Sequence, residues 1–391
     1  MSDRTPAPIT GLKDLKAALQ LAVGLELSTI PVYLTALYSI KDGHNTETAQ
    51  TIRSVVMEEM LHMTLAANVL NALGQTPSVE PVRFMGKHLH PIPSYPLTNP
   101  LVSGIGTLQL RPLSPDAIDS FVAIEHPLHG AARAAEIPLG TCVYRTIGEF
   151  YEAVRTALTD PAVCKDSDFR HLNQVPDTQY YGGAGHVVEV KDRKSAQQAI
   201  QTIIDEGEGL PPEKLEEAAK SVTDKDKLRN GWQMYSHYAR FRELQNGRRF
   251  RTDQKAGDEP MGAMVLVDYS AVHPALHVPR NGDTEGGTES AALIEFDLAY
   301  TRLVDDLYLA FSGRKKDVAY RIAGRQVEEL KPALPLAVHG MYALKNMAVA
   351  LMRTLSPASP PHTLCPRFSY VEEGDREKLG EIAKELRQDG G

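Results

Sequence analysis

Two apolar stretches, residues 12–41 and 46–73, joined by the polar turn KDGHN at 41–45, constrain this chain more than any other feature. In the first, Leu12, Leu15, Leu19, Ala22, Val23, Glu26, Ile30, Tyr33, Leu34 and Leu37 fall on one face at helical spacing. In the second, Ile52, Val55, Val56, Met63, Ala66, Val69, Leu70 and Leu73 do the same, and Gly74 marks the stop. Two helices of about 28 residues with a short turn predict an antiparallel hairpin roughly 40 Å long.

The inner faces of this hairpin are not purely apolar. Glu26 sits in the first stripe; Glu59 and His62 sit in the second, three residues apart and so stacked on one face. Glu58 falls beside the stripe and is expected to be solvated. Counted from Gly43, Glu26 lies about 17 residues back and Glu59 and His62 about 16 and 19 forward, which puts all three level, roughly 25 Å from the turn. An isolated buried carboxylate is costly, so it must be protonated, paired or bound to metal. No Lys or Arg shares the inner stripes at that level, Arg53 being about a turn and a half away. A metal ion explains the cluster; a buried, hydrogen-bonded Glu–His pair is the alternative. Pro31 removes the bond from its own nitrogen to the Leu27 carbonyl, a kink that opens space near Glu26 or only serves packing.

Further helices are expected at about 114–126, 146–158, 195–208, 212–221 and 226–246, and beyond a Gly-rich linker (RNGDTEGGTES, 280–290) at 289–311, 315–330 and 333–354. The expected division is 1–255 and 256–391. Ligands to complete the cluster are sought in the later helices: Glu125 beside Ile118, Phe121 and Val122, Glu208 at the edge of the Ile200, Ile203, Ile204, Gly207 face, and His237 with Phe241 and Leu244. The Glu-x-x-His pattern of dinuclear carboxylate bundles is here Met234-x-x-His237, and a thioether does not replace a carboxylate on iron or manganese. Glu149 and Glu152 are expected on a solvated face. His88, His90, His126 and His129 fall in Pro-rich loops without a carboxylate partner. A net charge of −8 argues against nucleic acid and anionic membrane. Apolar runs are interrupted before membrane-span length, at Glu26 and Pro31 in the longest case, and three scattered cysteines fit neither a zinc pattern nor a disulfide framework, so a reducing cytoplasm is expected.

The motifs ALQLAVGLELSTIPVYLTALYSIKDGHN and VVMEEMLHMTLAANVLNALG, followed by YPLTNPLVSGIGTLQLRPLS, FVAIEHP, TIGEFYEAV, IIDEGEG and SHYARF, resemble the ferritin-like family of iminophenyl-pyruvate dimer synthases, related to proteins of violacein-type pathways. FDLAYTRLVDDLYLAFSGRKKDVAYRI and LCPRFSYV are similar to that family's second helical segment. The resemblance implies a mainly α fold: a ferritin-like four-helix bundle with long crossover insertions and a C-terminal helical segment. It points to Glu26, Glu59 and His62 as metal-facing, with Glu125, Glu208 and His237 in later motifs. It implies one or two iron ions, with manganese as the alternative, and dioxygen or peroxide as co-substrate. The leading expectation is a metal-dependent oxidase or oxygenase of secondary metabolism acting on a small amine, imine or aromatic amino-acid derivative. The resemblance implies oxidative coupling of imines derived from aromatic α-amino acids as one such reaction. The alternatives are a non-enzymatic iron-binding protein, and a scaffold subunit of a biosynthetic complex with a degenerate metal site. The catalytic residues are not legible, and homodimerisation is left open.

Overall fold

The computed structural model describes residues 8–126, 142–180, 185–208, 236–251, 254, 258–279, 290–322, 325–357 and 359–389, with backbone alone at 208, 317–322, 325–331 and 389. The long hairpin is present: α1 (Leu12–Ser39) and α2 (Thr46–Ala72) lie side by side along their length. Helix α1 runs through Pro31 without a break, and the Thr35 hydroxyl donates to the Pro31 carbonyl at 2.7 Å. By length and composition α1 could cross a membrane, yet 89% of its most apolar window is buried inside the protein. It is the central helix of the core.

The Pro-rich crossover that follows α2 forms two small antiparallel ribbons, β1 (Val82–Phe84) with β2 (Lys87–Leu89), and β3 (Leu97–Thr98) with β4 (Thr107–Leu108). It presses on α1 so closely that a Cβ at Gly24 would lie 2.3 Å from the Pro91 carbonyl oxygen. Four shorter helices among the described residues then complete the wall around the hairpin. In α3 (Pro115–Ile124) the Ser114 hydroxyl caps the Ala117 amide and proline occupies the first turn, where no amide partner is lost. Helix α4 (Ile147–Thr159) starts at a Thr146 cap, and α5 (Arg193–Ile203) at a reciprocal Asp192–Ser195 capping box. Helix α5 ends in a wide π-type turn, Ile204–Glu208. Helix α6 (His237–Asn246), capped by Ser236, packs against α3 and α2.

The C-terminal segment begins after β5 (Ala275–Leu276) with α7 (Ala291–Phe311). Residues 315–330, expected as a helix, form instead an antiparallel ribbon, β6 (Lys315–Ile322) with β7 (Arg325–Pro332). The correction has a local reason: Val318, Tyr320 and Ile322 alternate with other residues, the two-residue period of a strand. Helix α8 (Ala333–Arg353), β8 (Thr363–Leu364, parallel to β5) and α9 (Glu373–Asp389) follow. Helices α7 and α8 pack on α2 and α1, and the Asn71 amide donates to the Phe311 carbonyl at 2.5 Å. The helix expected at 212–221 and residues 226–235 of its successor lie outside the described residues.

Candidate metal centre

Glu26 of α1, Glu59 and His62 of α2, Glu125 at the C-terminal end of α3 and His237 at the start of α6 meet in the interior, each at most 4% exposed. The level arithmetic along the hairpin holds. His62 Nδ1 lies 3.7 Å from Glu26 Oε2, and the Glu26 and Glu59 carboxyls are hydrogen-bonding neighbours. His237 Nδ1 lies 2.9 Å from Glu59 Oε1 and 3.5 Å from Glu125 Oε2. The two imidazoles are stacked, centroids 5.3 Å apart and planes 25° from parallel. One ligand atom each from Glu59, His62 and His237 fits within 4.8 Å.

The outward nitrogens are equally organised. His62 Nε2 is 3.1 Å from Glu206 Oε2, on the wide turn after α5, and His237 Nε2 is 2.8 Å from Glu58 Oε2. With Nε2 of each ring held by a carboxylate, Nδ1 of each ring faces inward, the orientation that metal-binding histidines take. Glu58 is not solvated: it is 6% exposed, and Arg240 of α6 holds its Oε2 at 2.5 Å. Position relative to the α2 stripe predicted exposure, but α6 packs over that flank and brings its own cation, one turn after His237. Two tyrosines and a threonine close the shell. Tyr33 donates to Glu125 and Tyr151 to Glu26, while the Thr29 hydroxyl lies 2.6 Å from Glu59 Oε2.

Burial and the neighbouring Glu59 push the Glu26 carboxyl up to about 7. Burial also raises Glu125, reinforced by Glu59. Burial alone would raise Glu59 too, but the His237 imidazole beside it outweighs that and holds it at about 2. Both histidines go the other way. Burial disfavours their charged forms, yet Glu206 and Glu26 drive His62 up to about 10, and Glu125 leads the carboxylates that raise His237 well above its ordinary value. The carboxylates demand positive charge among them. Protons on the imidazoles supply it in one way and a divalent cation in another.

One atom bears on the choice between them. His237 Nδ1 is buried with two carboxylate oxygens within 3.5 Å, and neither is placed to accept a hydrogen bond from it. A nitrogen that faces oxygens without donating to them suits ligands gathered around a cation better than an ion pair. The donor set, carboxylates with imidazoles and no thiolate, suits iron or manganese. The residues fit the group.

The other predicted positions fall elsewhere. The side chain of Glu208 lies outside the described residues, as do Met234 and His129; the α5 carboxylate that reaches the cluster is Glu206. A straight helix read at 3.6 residues per turn misses it, because the wide turn takes an extra residue and rotates the face. Glu149 and Glu152 face away from the cluster, paired with Arg145 and Arg155. His88 and His90 are exposed, and His126 stands edge-on to Tyr238. Missed by sequence reasoning were Glu58, Glu206, Arg240, Thr29 and the roles of Tyr33 and Tyr151. The available signal was spacing: Thr29 and Arg240 each lie three residues after a cluster member, and both tyrosines put a hydroxyl on an apolar stripe.

A ferritin-like family model matches residues 19–246, a span that contains every member of the cluster. Among solved structures, the crystal structure of a ferritin-like protein from Caulobacter vibrioides is similar, with a TM-score of 0.57 and 22% identity, over 93% of this chain and 100% of that one. That likeness speaks to the fold alone. No curated protein matches the chain.

Proposed function

Because the chain belongs to the ferritin-like family, we propose that it is a metal-dependent oxidase or oxygenase of small-molecule metabolism, with iron at the Glu–His cluster and manganese as the alternative. The observation that carries this reading is the inward His237 Nδ1, buried against Glu59 and Glu125 with no hydrogen bond of its own. Glu26, Glu59, Glu125, His62 and His237 would hold one or two ions. Bound iron would supply a reversible one-electron change and an affinity for dioxygen or peroxide.

The chain's own part is orientation and exclusion of water. Glu206 and Glu58 fix which nitrogen each imidazole turns inward. Tyr33 and Tyr151 each donate a hydrogen bond to a carboxylate of the cluster and restrain its orientation. Leu25, Ile147 and Ile203 wall the adjoining cavity with apolar surface, which strengthens every charge interaction inside it. The resemblance of α1 and α2 to iminophenyl-pyruvate dimer synthases supports an amine, imine or aromatic amino-acid derivative as substrate, and oxidative imine coupling as the reaction. A second reading, iron binding without an organic substrate, is favoured by the size of that cavity, which has room for little more than a water molecule.

Elemental analysis of the purified protein and of Glu59→Ala tests the metal. Wild type is expected to carry iron or manganese, and the variant to lose it with helicity retained by circular dichroism. Equal metal content in the two proteins would refute the assignment. Dioxygen consumption by the iron-loaded protein with aromatic amino acids and their imines separates the readings: uptake that depends on the organic substrate supports the oxidase, and its absence the binding protein.

A further inference from the structure

A second cavity lies beside the cluster, between α1 and the Pro-rich crossover. Leu21, Gly24, Leu25 and Ser28 form its floor, at helical spacing along one flank of α1. Leu89, Leu97 and Leu101 of the crossover, with three prolines, form its roof. Its volume is about 40 Å³, against about 10 Å³ for the cavity at the cluster. A single water needs roughly 10–15 Å³, so the space suits a diatomic molecule and is far too small for an aromatic amino acid. Polar atoms on its wall are already engaged. The Ser28 hydroxyl donates to the Leu25 carbonyl at 2.7 Å, the Ser28 carbonyl accepts from the Tyr95 hydroxyl at 2.6 Å, and Asn99 Oδ1 accepts the Leu101 amide at 2.8 Å. Walls of leucine and proline with those atoms engaged favour an apolar occupant over water. Exposed His90 and half-buried Leu97 stand at the outer rim. At the inner end, Leu25 is the one residue among those described that lines both cavities, and it is 3% exposed.

We propose that this cavity is a dioxygen site serving the metal centre, with Leu25 as the side chain that divides the two spaces. The inference rests on the metal reading above and names dioxygen rather than peroxide as the oxidant. Dioxygen is apolar and enters without leaving a polar group unsatisfied. Hydrogen peroxide, a donor at both ends, loses its hydrogen bonds to water against leucine and proline. Leucine side chains occupy discrete staggered wells, so a rotation of Leu25 joins the two spaces without moving the backbone of α1. The crossover thereby acquires a role beyond covering the hairpin: it roofs an apolar space one side chain away from the centre.

Dissolved dioxygen is paramagnetic and speeds the relaxation of the protons beside which it dwells. The test uses the full-length protein with diamagnetic zinc(II) in place of iron and with labelled leucine and isoleucine methyl groups, under dioxygen pressure with nitrogen as the blank. Wild type is expected to show relaxation enhancement at Leu21, Leu25 and Leu101 about threefold that at Leu65 and Leu70, which are fully buried and line neither cavity. Leu97→Trp, which places an indole at the rim, is expected to lower the enhancement at Leu25 to that of the reference leucines. Leu25→Ala, which removes the dividing side chain, is expected to extend it to Ile147 and Ile203 in the cavity at the cluster. With iron(II) bound, oxidation at sub-saturating dioxygen is expected to slow in Leu97→Trp and to quicken in Leu25→Ala. Enhancement at the cavity leucines no greater than at Leu65 and Leu70 overturns the inference, as do oxidation rates that neither variant changes. Failure of wild type to bind iron or zinc overturns the metal reading, a result distinct from a loaded centre beside a cavity that dioxygen does not enter.

Discussion

Arg240 offers the sharpest test of how the centre is held. Its guanidinium lies 2.5 Å from Glu58 Oε2, both side chains are under 10% exposed, and Nη1 also donates to the Ser54 hydroxyl at 2.8 Å. At that separation and an effective dielectric of about 20, the attraction is roughly 6–7 kcal/mol, most of it offset by the cost of desolvating two charges. The Arg240→Met substitution roughly keeps the volume and removes the cation, leaving Glu58 buried with His237 Nε2, 2.8 Å away, as its remaining partner among the described residues. Breaking a buried pair from one side costs about 3–5 kcal/mol; with His237 still bonded, the lower end, ~3 kcal/mol, is expected. The double variant Glu58→Leu with Arg240→Met removes both charges together and is expected to recover at least half of that loss. It also frees His237 Nε2, so metal affinity is expected to fall by about 10–100-fold in the double variant even as stability returns. Urea unfolding of the metal-free proteins measures the first quantity and metal titration the second. An Arg240→Met cost under ~1 kcal/mol, or a double variant no more stable than the single one, would refute the argument that Glu58 is a buried charge dependent on its partner.

Two further predictions concern the packing around the cluster rather than its ligands. Burial, with Arg367 nearby, depresses His277 from 6.5 to about 4, and its Nε2 has no hydrogen-bond partner among the described residues. The unfolded chain therefore binds the extra proton between those values. The contribution of His277 is full above about pH 6.5, and roughly 2 kcal/mol is lost as pH falls toward 4, once partial exposure is allowed for. Urea unfolding across that window is expected to show the slope in wild type and a shallower one in His277→Gln; equal slopes would refute it. The Gly24→Ala substitution puts a methyl group 2.3 Å from the Pro91 carbonyl oxygen and is expected to cost about 2–3 kcal/mol, measured by thermal unfolding. Gly380→Ala in α9 meets nothing within 4 Å and, as the clash-free comparison, is expected to stabilise by about 0.5–1 kcal/mol.

Much of the architecture was legible because helical periodicity is local. The stripes of α1 and α2, their turn at 41–45 and the common height of Glu26, Glu59 and His62 follow from spacing and rise per residue alone. The same is true of α3, α4 and α7, whose observed bounds lie within about two residues of those expected. The ribbon at 315–332 was misread because a charged, mixed stretch satisfies a helical pattern loosely, and strand pairing depends on a partner segment rather than on neighbours in sequence.

The amino-acid sequence alone determined that two long helices would bury acids and an imidazole at one depth, since each of those facts depends only on positions within a single rod. Tertiary packing decided what those groups meet. It buried Glu58 under α6, rotated Glu206 rather than a neighbour toward His62, brought two tyrosine hydroxyls onto carboxylates, and set Gly207 against both imidazoles. Each of these depends on contacts between segments far apart in the chain, such as the 182 residues that separate Glu58 from Arg240. Periodicity within one helix carries no information about which face a distant helix will cover.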